Sequence, residues 1–360
     1  MKKAGLFLGV CAMLVGGAAT TVYAADDGPT IQMIVMSLNS EYWLNVQAGA
    51  EAELEKSGGE LIYTGPSLDG DIQGQVDLMQ NAISSGVDGI ILIPVDSEGL
   101  APSVEQAEDA GIPVVVVDGP VDTDKVTSYI ATDNKAGGRL AMETLMDLMG
   151  GEGKAVIVNA LAGIPSNDGR GAGAEEAAAE NSGIELLETL RGSDQAAALQ
   201  NVENVLTANS DLKGIFSAYD RGAIGASQAV INAGLQDQIY QVAFDATADE
   251  IQYLEDGVID ALIVQQPYEM GRLAVEYINK ALNGEEVPAE TATDVVVVTK
   301  DNMNDPDIQA VLYPLEQSDE ETEAAESTED ASENTETENT ETTEEGEEAA
   351  EDTETAETEE

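Results

Sequence analysis

The stretch IQGQVDLMQNAISSGVDGIILIPVDSEGLAPSVEQAEDAGIPVVVVDG at residues 72–119 contains two helix-to-strand units in succession. Amphipathic segments at 72–85 and 100–110 each end in a glycine-containing turn, which is a common way for a helix to stop. Short apolar runs at 89–93 and 114–117 follow, and their β-branched residues predict strands that are buried on both faces. Buried strands joined by a helix are typical of a parallel α/β sheet.

The same alternation extends from Thr30 to Leu315. Repeating strand–helix units of about thirty residues predict an α/β fold with parallel sheets and right-handed crossovers. A chain of 360 residues is long enough for two such lobes, each with its own core. A helix is predicted at 42–56, and the remaining strands are predicted at 31–36, 155–158, 184–190, 214–217, 240–244 and 261–264.

The first residues have the pattern of a secretory signal. Two lysines precede an apolar run at 4–19, and Val22-Tyr23-Ala24 supplies the small residues that a leader peptidase reads. We therefore predict a signal peptide over residues 1–24, with cleavage after Ala24. An uncleaved membrane anchor is the first alternative, although the apolar run is short for a span. Lipid attachment at Cys11 is the second, although Val10 is large for that site.

The last 45 residues, 316–360, consist almost wholly of Glu, Thr, Ala, Ser, Asp and Asn. They carry 22 of the 71 acidic residues and no Lys, Arg or aromatic residue. Such a segment buries too little apolar surface to offset its ordering entropy, which predicts a disordered acidic tail. Three roles fit this tail: a solubilising spacer, a tether to the cell wall, or a weak store of divalent cations.

The composition excludes several classes of function. With a formal charge of −57, the chain has too few basic residues to neutralise a run of phosphates, so nucleic acid is not an expected partner. Without any histidine, the chain lacks Ser-His-Asp and Cys-His catalytic groups and imidazole zinc sites. A single cysteine allows no disulfide within the chain, and no glycine-rich phosphate loop follows a strand. We predict no cofactor and no metal.

Polar and aromatic residues recur where the predicted strands end. In parallel α/β sheets ligands bind beyond the carboxyl ends of the strands, so these residues are candidates for a shared site. An Arg and an amide stand among several carboxylates and aromatic rings. They lie in Ser37-Leu-Asn-Ser-Glu-Tyr-Trp43, Asp118-Gly119, the loop 162–171, Tyr219-Asp220, Phe244-Asp245 and Gln265-Gln266-Pro267.

These segments resemble the periplasmic sugar-binding proteins of the ribose-binding type, which feed ABC importers. The resemblance covers about residues 30–300 and rests on Ser37-Leu-Asn39 before the aromatic pair, Ile130-Ala-Thr-Asp-Asn134 with Gly137-Gly138, Arg170-Gly171, Phe244-Asp245 and Gln265 before Pro267. It implies a type I periplasmic-binding fold, in which two Rossmann-like lobes close on a sugar. It also implies crossovers near Thr132, Gln265 and Asp294, an N-terminal lobe of 25–131 plus 266–293, and a C-terminal lobe of 132–265 plus 294–315.

The resemblance also implies which side chains face the ligand. A carboxylate accepts from two vicinal hydroxyls, Arg presents a fork of donors, and aromatic faces cover the apolar faces of a sugar. Asp118, Arg170, Asp245 and Gln265 match hydroxyl-binding positions, whereas Tyr42, Trp43 and Phe244 match the aromatic rings. Tyr219 occupies a ligand-facing position with a changed residue, and Ser40 and Asp220 are further candidates.

Departures from the ribose-type pattern put ribose itself in doubt. Gly119 stands where that pattern has a second Arg, and Tyr219 and Ser40 stand where it has Asn. Ser193 replaces an aromatic residue in the loop after Leu190. The pocket therefore loses donors and gains room, and its two acidic groups outnumber Arg170. We predict a neutral polyhydroxylated ligand in a pocket with room for more than a pentose, and sugar phosphates and sugar acids are disfavoured.

Each of these residues also has a plain structural interpretation. Asp118 and Asp245 could cap helices, since both follow strands, and Asp220 could lie at a helix start without meeting the ligand. Arg170 could bridge surface carboxylates, and Trp43 could belong to the core. Gly137-Gly138 is predicted to serve close helix packing.

Four functions fit the sequence to different degrees. The first is a secreted binding protein that captures a sugar or polyol by hinge closure, acts as a monomer, and delivers its ligand to an ABC permease. The second is a sensing component that presents a sugar or a sugar-like autoinducer to a receptor. A glycoside hydrolase with paired acids Asp118 and Asp245 is disfavoured, and no enzyme activity is predicted. A repressor core is disfavoured by the secretion signal and the missing DNA-binding headpiece.

Overall fold

The computed structural model describes residues 28–38, 40–68 and 70–315. The predicted signal peptide, including Cys11, and the predicted acidic tail lie outside the described residues, as does Asn39. The described part is an α/β fold with two lobes. Its strands, numbered in chain order, are β1 (Thr30–Ile34), β2 (Glu60–Thr64), β3 (Gly89–Leu92), β4 (Val114–Val117), β5 (Ser128–Thr132), β6 (Gly153–Asn159), β7 (Ile184–Leu186), β8 (Leu190–Arg191), β9 (Leu212–Ser217), β10 (Tyr240–Phe244), β11 (Ala261–Val264), β12 (Glu290–Thr293) and β13 (Val296–Thr299).

Helices connect most of these strands. Several begin at a side-chain cap and end at a left-handed glycine; the helix at 72–85, for example, is capped by Asp71 and ends at Gly86. The helices of the described residues are α1 (Glu41–Ser57), α2 (Ile72–Ser85), α3 (Ser97–Asp109), α4 (Asn134–Met149), α5 (Pro165–Glu180), α6 (Gln195–Ala208), α7 (Asp220–Ala233), α8 (Ala248–Asp256), α9 (Pro267–Leu282) and α10 (Pro306–Leu312).

The strands form two separate sheets, one in each lobe. The N-lobe sheet has the order β12-β5-β4-β3-β1-β2, and all its neighbours are parallel. The C-lobe sheet has the order β13-β11-β10-β9-β6-β7, with β8 also paired to β6. Its last strand, β13, runs antiparallel to β11. The prediction of parallel sheets therefore holds for every pair except this one.

The chain passes between the sheets three times. It leaves the N-lobe after β5, returns after β11, and leaves again between β12 and β13. Helix α4 accordingly packs against α5 in the C-lobe, whereas α9 packs against α1 in the N-lobe. The lobe boundaries given above from the resemblance stay a prediction.

Each sheet is covered by helices on both faces, which explains the continuous apolar runs in its strands. The four valines of β4 show the pattern. Val115 and Val117 join the core cluster beneath α1 and α9, whereas Val114 and Val116 join the cluster beneath α2 and α3. The C-lobe sheet is packed in the same way on its two faces.

Glycines allow the same close helix crossing in both lobes. A Cβ on Gly138 of α4 would lie 1.9 Å from the carbonyl oxygen of Arg170 on α5. The equivalent glycine of the N-lobe is Gly271 of α9, where a Cβ would lie 1.8 Å from the carbonyl oxygen of Val46 on α1. The close helix packing predicted for Gly137-Gly138 is therefore confirmed for Gly138, whereas Gly137 faces the Phe244 side chain of β10.

One predicted strand differs from the structure. The segment 184–190 was expected to be continuous, but it divides into β7 and β8, which both pair with β6. The paired residues of β7 end at Leu186 and those of β8 begin at Leu190. Residues 187–189 between them belong to neither strand.

Candidate functional site

Two aspartates stand at matching places, directly after β4 and β10. Asp118 has φ 66° and Asp245 has φ 89°, and among the described residues they are the two non-glycine residues with positive φ. Aspartate tolerates this left-handed conformation better than most residues because its short polar side chain can bond locally. Neither caps a helix: Asp118 is followed by β5, and α8 is capped by Thr247. The capping interpretation is wrong for both.

Arg170 lies on α5 and is 5% exposed. Its Nε donates to Asn134 Oδ1 at 2.8 Å, and its Nη1 donates to the carbonyl oxygen of Ala218 at 3.0 Å. The same Nη1 is 3.4 Å from Asp245 Oδ2. Because the guanidinium is buried and held by three partners, the alternative of a surface bridge is wrong.

Phe244 lies beneath this guanidinium. The carbon at the centre of the Arg170 guanidinium is 3.8 Å from the centroid of the Phe244 ring, which is a cation–π contact. The ring itself is fully buried in the C-lobe core. A Cβ on Gly137 would come within 2.9 Å of the ring, so this glycine leaves the room that the ring occupies. Phe244 thus supports Arg170, and its contact with a ligand stays a prediction.

Gln265 links the two lobes at the second crossover. Its Oε1 accepts from Thr132 Oγ1 at 2.7 Å and from the Tyr42 hydroxyl at 3.3 Å, and both of these residues belong to N-lobe elements. Its Nε2 donates to Asp245 Oδ1 at 2.5 Å. The amide therefore joins the carboxylate of one lobe to hydroxyl groups of the other.

Tyr42 brings a buried hydroxyl to the same place. Burial raises the pKa of Tyr42 well above its ordinary value, and the charges of Asp118 and Asp245 raise it further. The hydroxyl consequently keeps its proton and acts as a donor. The Tyr42 ring meets the Trp43 ring edge-on, with centroids 4.8 Å apart. Trp43 is 7% exposed and lies in the N-lobe core cluster, which supports the core interpretation; ligand contact by Trp43 stays a prediction.

The electrostatic environment of Asp118 is distinctive. Burial raises the pKa of its carboxyl to about 6, opposed by the nearby Arg170 charge and reinforced by Asp245. A hydrogen bond from Tyr42 also favours the ionised form. Asp118, Arg170 and Asp245, which are distant in sequence, therefore act on one another in space.

The other candidates lie further out. The Tyr219 hydroxyl donates to the carbonyl oxygen of Gly192 at 3.1 Å, and its ring packs in a C-lobe core cluster. Asp220 is the first residue of α7 and is half-buried. Ser40 precedes α1 and is half-buried, and its side chain makes no capping hydrogen bond to that helix. As ligand contacts these three residues stay predictions.

Two residues of the site were not singled out as site residues from the sequence. Thr132 was predicted only as a crossover position and Asn134 only as part of a family segment, yet they bind Gln265 and Arg170 directly. The available signal was their position at the first crossover, next to the strand end that leads into α4.

Taken together, the site offers hydrogen-bond acceptors from both lobes and a fixed donor from the C-lobe. Asp118 and Asp245 can accept from vicinal hydroxyls, and Arg170 can donate to a ring or hydroxyl oxygen. Within the described ranges, no group of three His, Cys, Asp or Glu residues could hold a metal ion. No helix in the same ranges is both long and apolar enough for a bilayer.

Two α/β lobes with such a site at their facing strand ends define a two-lobed binding protein of the type I periplasmic-binding fold. The family described as periplasmic binding protein domain matches residues 31–286, and this chain belongs to that family. The ribose import binding protein of Escherichia coli is 30% identical over 302 residues, 83% of this chain and 99% of that protein.

Solved structures give the same result. An ABC transporter solute-binding protein from Agrobacterium vitis with bound D-fucose is 37% identical, with a TM-score of 0.69 over 79% of this chain and 100% of that one. A second solute-binding protein from Agrobacterium vitis, bound to α-D-tagatopyranose, is 30% identical, with a TM-score of 0.72 over 79% of this chain and 99% of that one.

Proposed function

We propose that this chain is the substrate-binding protein of an ABC sugar importer and captures a neutral sugar or polyol between its lobes by hinge closure. The observation that carries the proposal is the convergence of Asp118 and Tyr42 from one lobe with Arg170 and Asp245 from the other, joined by Gln265. The relatives named above are a ribose import binding protein and sugar-bound solute-binding proteins, which supports the same ligand class.

The charges favour a neutral ligand. Two carboxylates face one guanidinium, and that guanidinium is already held by Asn134, Ala218 and Asp245. A phosphate would meet the Asp118 and Asp245 charges beside a guanidinium that already pairs with Asp245. A few charge-assisted bonds of about 1.5–3 kcal/mol each are enough for micromolar binding, which needs about 8 kcal/mol.

We further propose that the chain is secreted, with cleavage after Ala24, and that it acts as a monomer without enzymatic activity. The binding site lies between lobes of one chain, so a second copy is not needed to complete it. We favour delivery to a permease over sensing because the named relatives are import and ABC transporter binding proteins.

Titration with a panel of sugars tests the proposal. Trp43 is the only tryptophan, and its edge contact with Tyr42 couples its fluorescence to the site. D-ribose, D-allose, D-fucose, D-tagatose, D-arabinose and xylitol are titrated into the full chain while fluorescence and heat are recorded. A saturable signal with one or two of them is expected.

Matched variants locate the signal. Asp245→Asn should weaken binding of the responding sugar, whereas Asp122→Asn, an exposed change in the loop after β4, should not. Ribose 5-phosphate should give no signal. The absence of heat, fluorescence change and thermal shift with the whole panel would contradict the proposed ligand class, and tight binding of the phosphate would contradict its neutrality.

A further inference from the structure

Thr132 and Gln265 occupy equivalent places in two of the three crossovers. Thr132 is the last residue of β5 and lies two residues before the start of α4. Gln265 directly follows β11 and lies two residues before the start of α9. The crossovers run side by side, and the two side chains bond to each other at 2.7 Å in a buried position.

The Asp245 carboxylate determines how the Gln265 amide is oriented. Its Oδ1 accepts from Gln265 Nε2 at 2.5 Å, and a carboxylate beside an Arg can only accept. The amide oxygen must therefore point the other way, toward the N-lobe. There it requires a donor, because a buried acceptor without one costs free energy.

Thr132 is the better of the two donors that lie there. The Tyr42 hydroxyl has one proton, and it is shared among Gln265 Oε1 at 3.3 Å, Met270 Sδ at 3.8 Å and the Asp118 carboxylate. An ionised carboxylate is the strongest of these acceptors. The Thr132 hydroxyl, at 2.7 Å, is then the donor on which Gln265 Oε1 depends.

We propose that Thr132 is a positioning residue for ligand binding: its hydroxyl holds the Gln265 amide with Nε2 on Asp245 and leaves the second Nε2 hydrogen for a ligand hydroxyl. The effect on affinity rests on the proposed function, whereas the effect on the amide does not. Thr132 itself does not touch the ligand and acts through Gln265.

Thr293 is the matched control. It lies directly opposite Thr132 in the register of β12 and β5, and both are about equally buried. The Thr293 hydroxyl has no hydrogen-bond partner among the described residues. Thr132→Val and Thr293→Val therefore make the same chemical change on neighbouring strands, and only the first removes a donor from Gln265.

The first measurement needs no ligand. The side-chain amide protons of Gln265 are followed by nitrogen-15 NMR in the full chain and are assigned by their loss in Gln265→Ala. Thr132→Val should shift these resonances and speed their exchange with solvent, whereas Thr293→Val and Thr132→Ser should not. An unchanged amide in Thr132→Val would overturn the proposal. Thr132→Ala is the second variant if the valine is poorly tolerated.

The second measurement is calorimetric affinity for the sugar of the panel that binds wild type most tightly. Thr132→Val should weaken binding about 2- to 12-fold, the range for one hydrogen bond, and Thr293→Val less than about 2-fold. In a Gln265→Ala background Thr132→Val should have no further effect. An equal loss in both backgrounds would show a merely structural role and overturn the proposal. If no sugar binds wild type, the proposed function fails, and the amide measurement still decides the role of Thr132.

Discussion

Asp118 should make the fold less stable when it ionises. Burial raises the pKa of its carboxyl from 3.8 to about 6, so the folded chain holds this proton at a pH where the unfolded chain has lost it. Unfolding free energy then falls as pH rises from about 4 to 6 and is unaffected by this group above that range. At pH 7.5 the full cost is present.

The size of the cost follows from the shift. A rise from 3.8 to about 6 corresponds to about 3 kcal/mol between the two protonation states, net of the attraction to Arg170. Asp118→Asn removes the ionisation while keeping a side chain that tolerates φ 66°. We therefore expect the free energy of unfolding of the variant to exceed that of wild type by up to about 3 kcal/mol at pH 7.5 and to equal it near pH 4.

Urea unfolding of the ligand-free chain between pH 4 and 7.5 measures the difference. Asp122→Asn changes an exposed residue of the same loop and is the control. It should change the free energy of unfolding by the same small amount at every pH. A variant that is no more stable than wild type at pH 7.5 would refute the burial argument.

The same carboxyl should link sugar binding to pH. Under the proposed function, ligand hydroxyls donate to the ionised Asp118 and lower its pKa on binding. Affinity for the sugar should then fall below pH 6, and binding near pH 6 should release a fraction of a proton. Calorimetry in buffers of different ionisation enthalpy detects that proton. Binding without proton release, at unchanged affinity from pH 5 to 7.5, would show that the ligand does not contact Asp118.

Three further changes test other parts of the structure. Burial raises the pKa of Glu250 from 4.5 to about 8, so the free energy of unfolding of wild type should fall as pH rises between those values. Glu250→Gln can keep the capping bonds, and its free energy of unfolding in urea should fall less than that of wild type between pH 5 and 8.5. Gly138→Ala and Gly271→Ala should each lower the free energy of unfolding by about 3 kcal/mol or more, measured by thermal unfolding, because a Cβ meets backbone. Only Gly138→Ala should also weaken the affinity of the folded protein for sugar, measured by calorimetry, since it displaces Arg170. Arg170→Lys should cost about 1–3 kcal/mol of stability and at least tenfold in affinity, because an ammonium cannot reproduce the fork held by Asn134; equal affinity would contradict the assigned role.

Local sequence signals were enough to predict the elements with clear ends. Helix α2 was predicted over its observed range because its amphipathic pattern ends at the turn with Gly86; the structure adds the cap at Asp71. The break between β7 and β8 was missed because residues 187–189 contain neither glycine nor proline. The direction of β13 could not be predicted, since hydrophobic periodicity does not depend on which way the neighbouring strand runs.

For the site, position along the chain was more informative than side-chain direction. Asp118, Arg170 and Gln265 were found because they follow strands or match the family segments. Tyr42 and Trp43 are consecutive on a helix, so their side chains point about 100° apart and meet different surroundings. The structure turns Trp43 into the N-lobe core and leaves the Tyr42 hydroxyl beside Gln265. Packing, not local sequence, decides that difference.

The two lobes have similar strand orders, apart from the antiparallel β13 and the additional β8 of the C-lobe, but contribute unequally to the site. At the helix crossing where the C-lobe carries Arg170 opposite Gly138, the N-lobe carries the fully buried Val46 opposite Gly271. The ion pair between Arg170 and Asp245 lies wholly within the C-lobe, so hinge motion does not break it. The contacts of Tyr42 with Gln265 join the lobes and depend on their relative position. We therefore expect a ligand to bind the preorganised C-lobe first, with Asp118 and Tyr42 arriving as the lobes close.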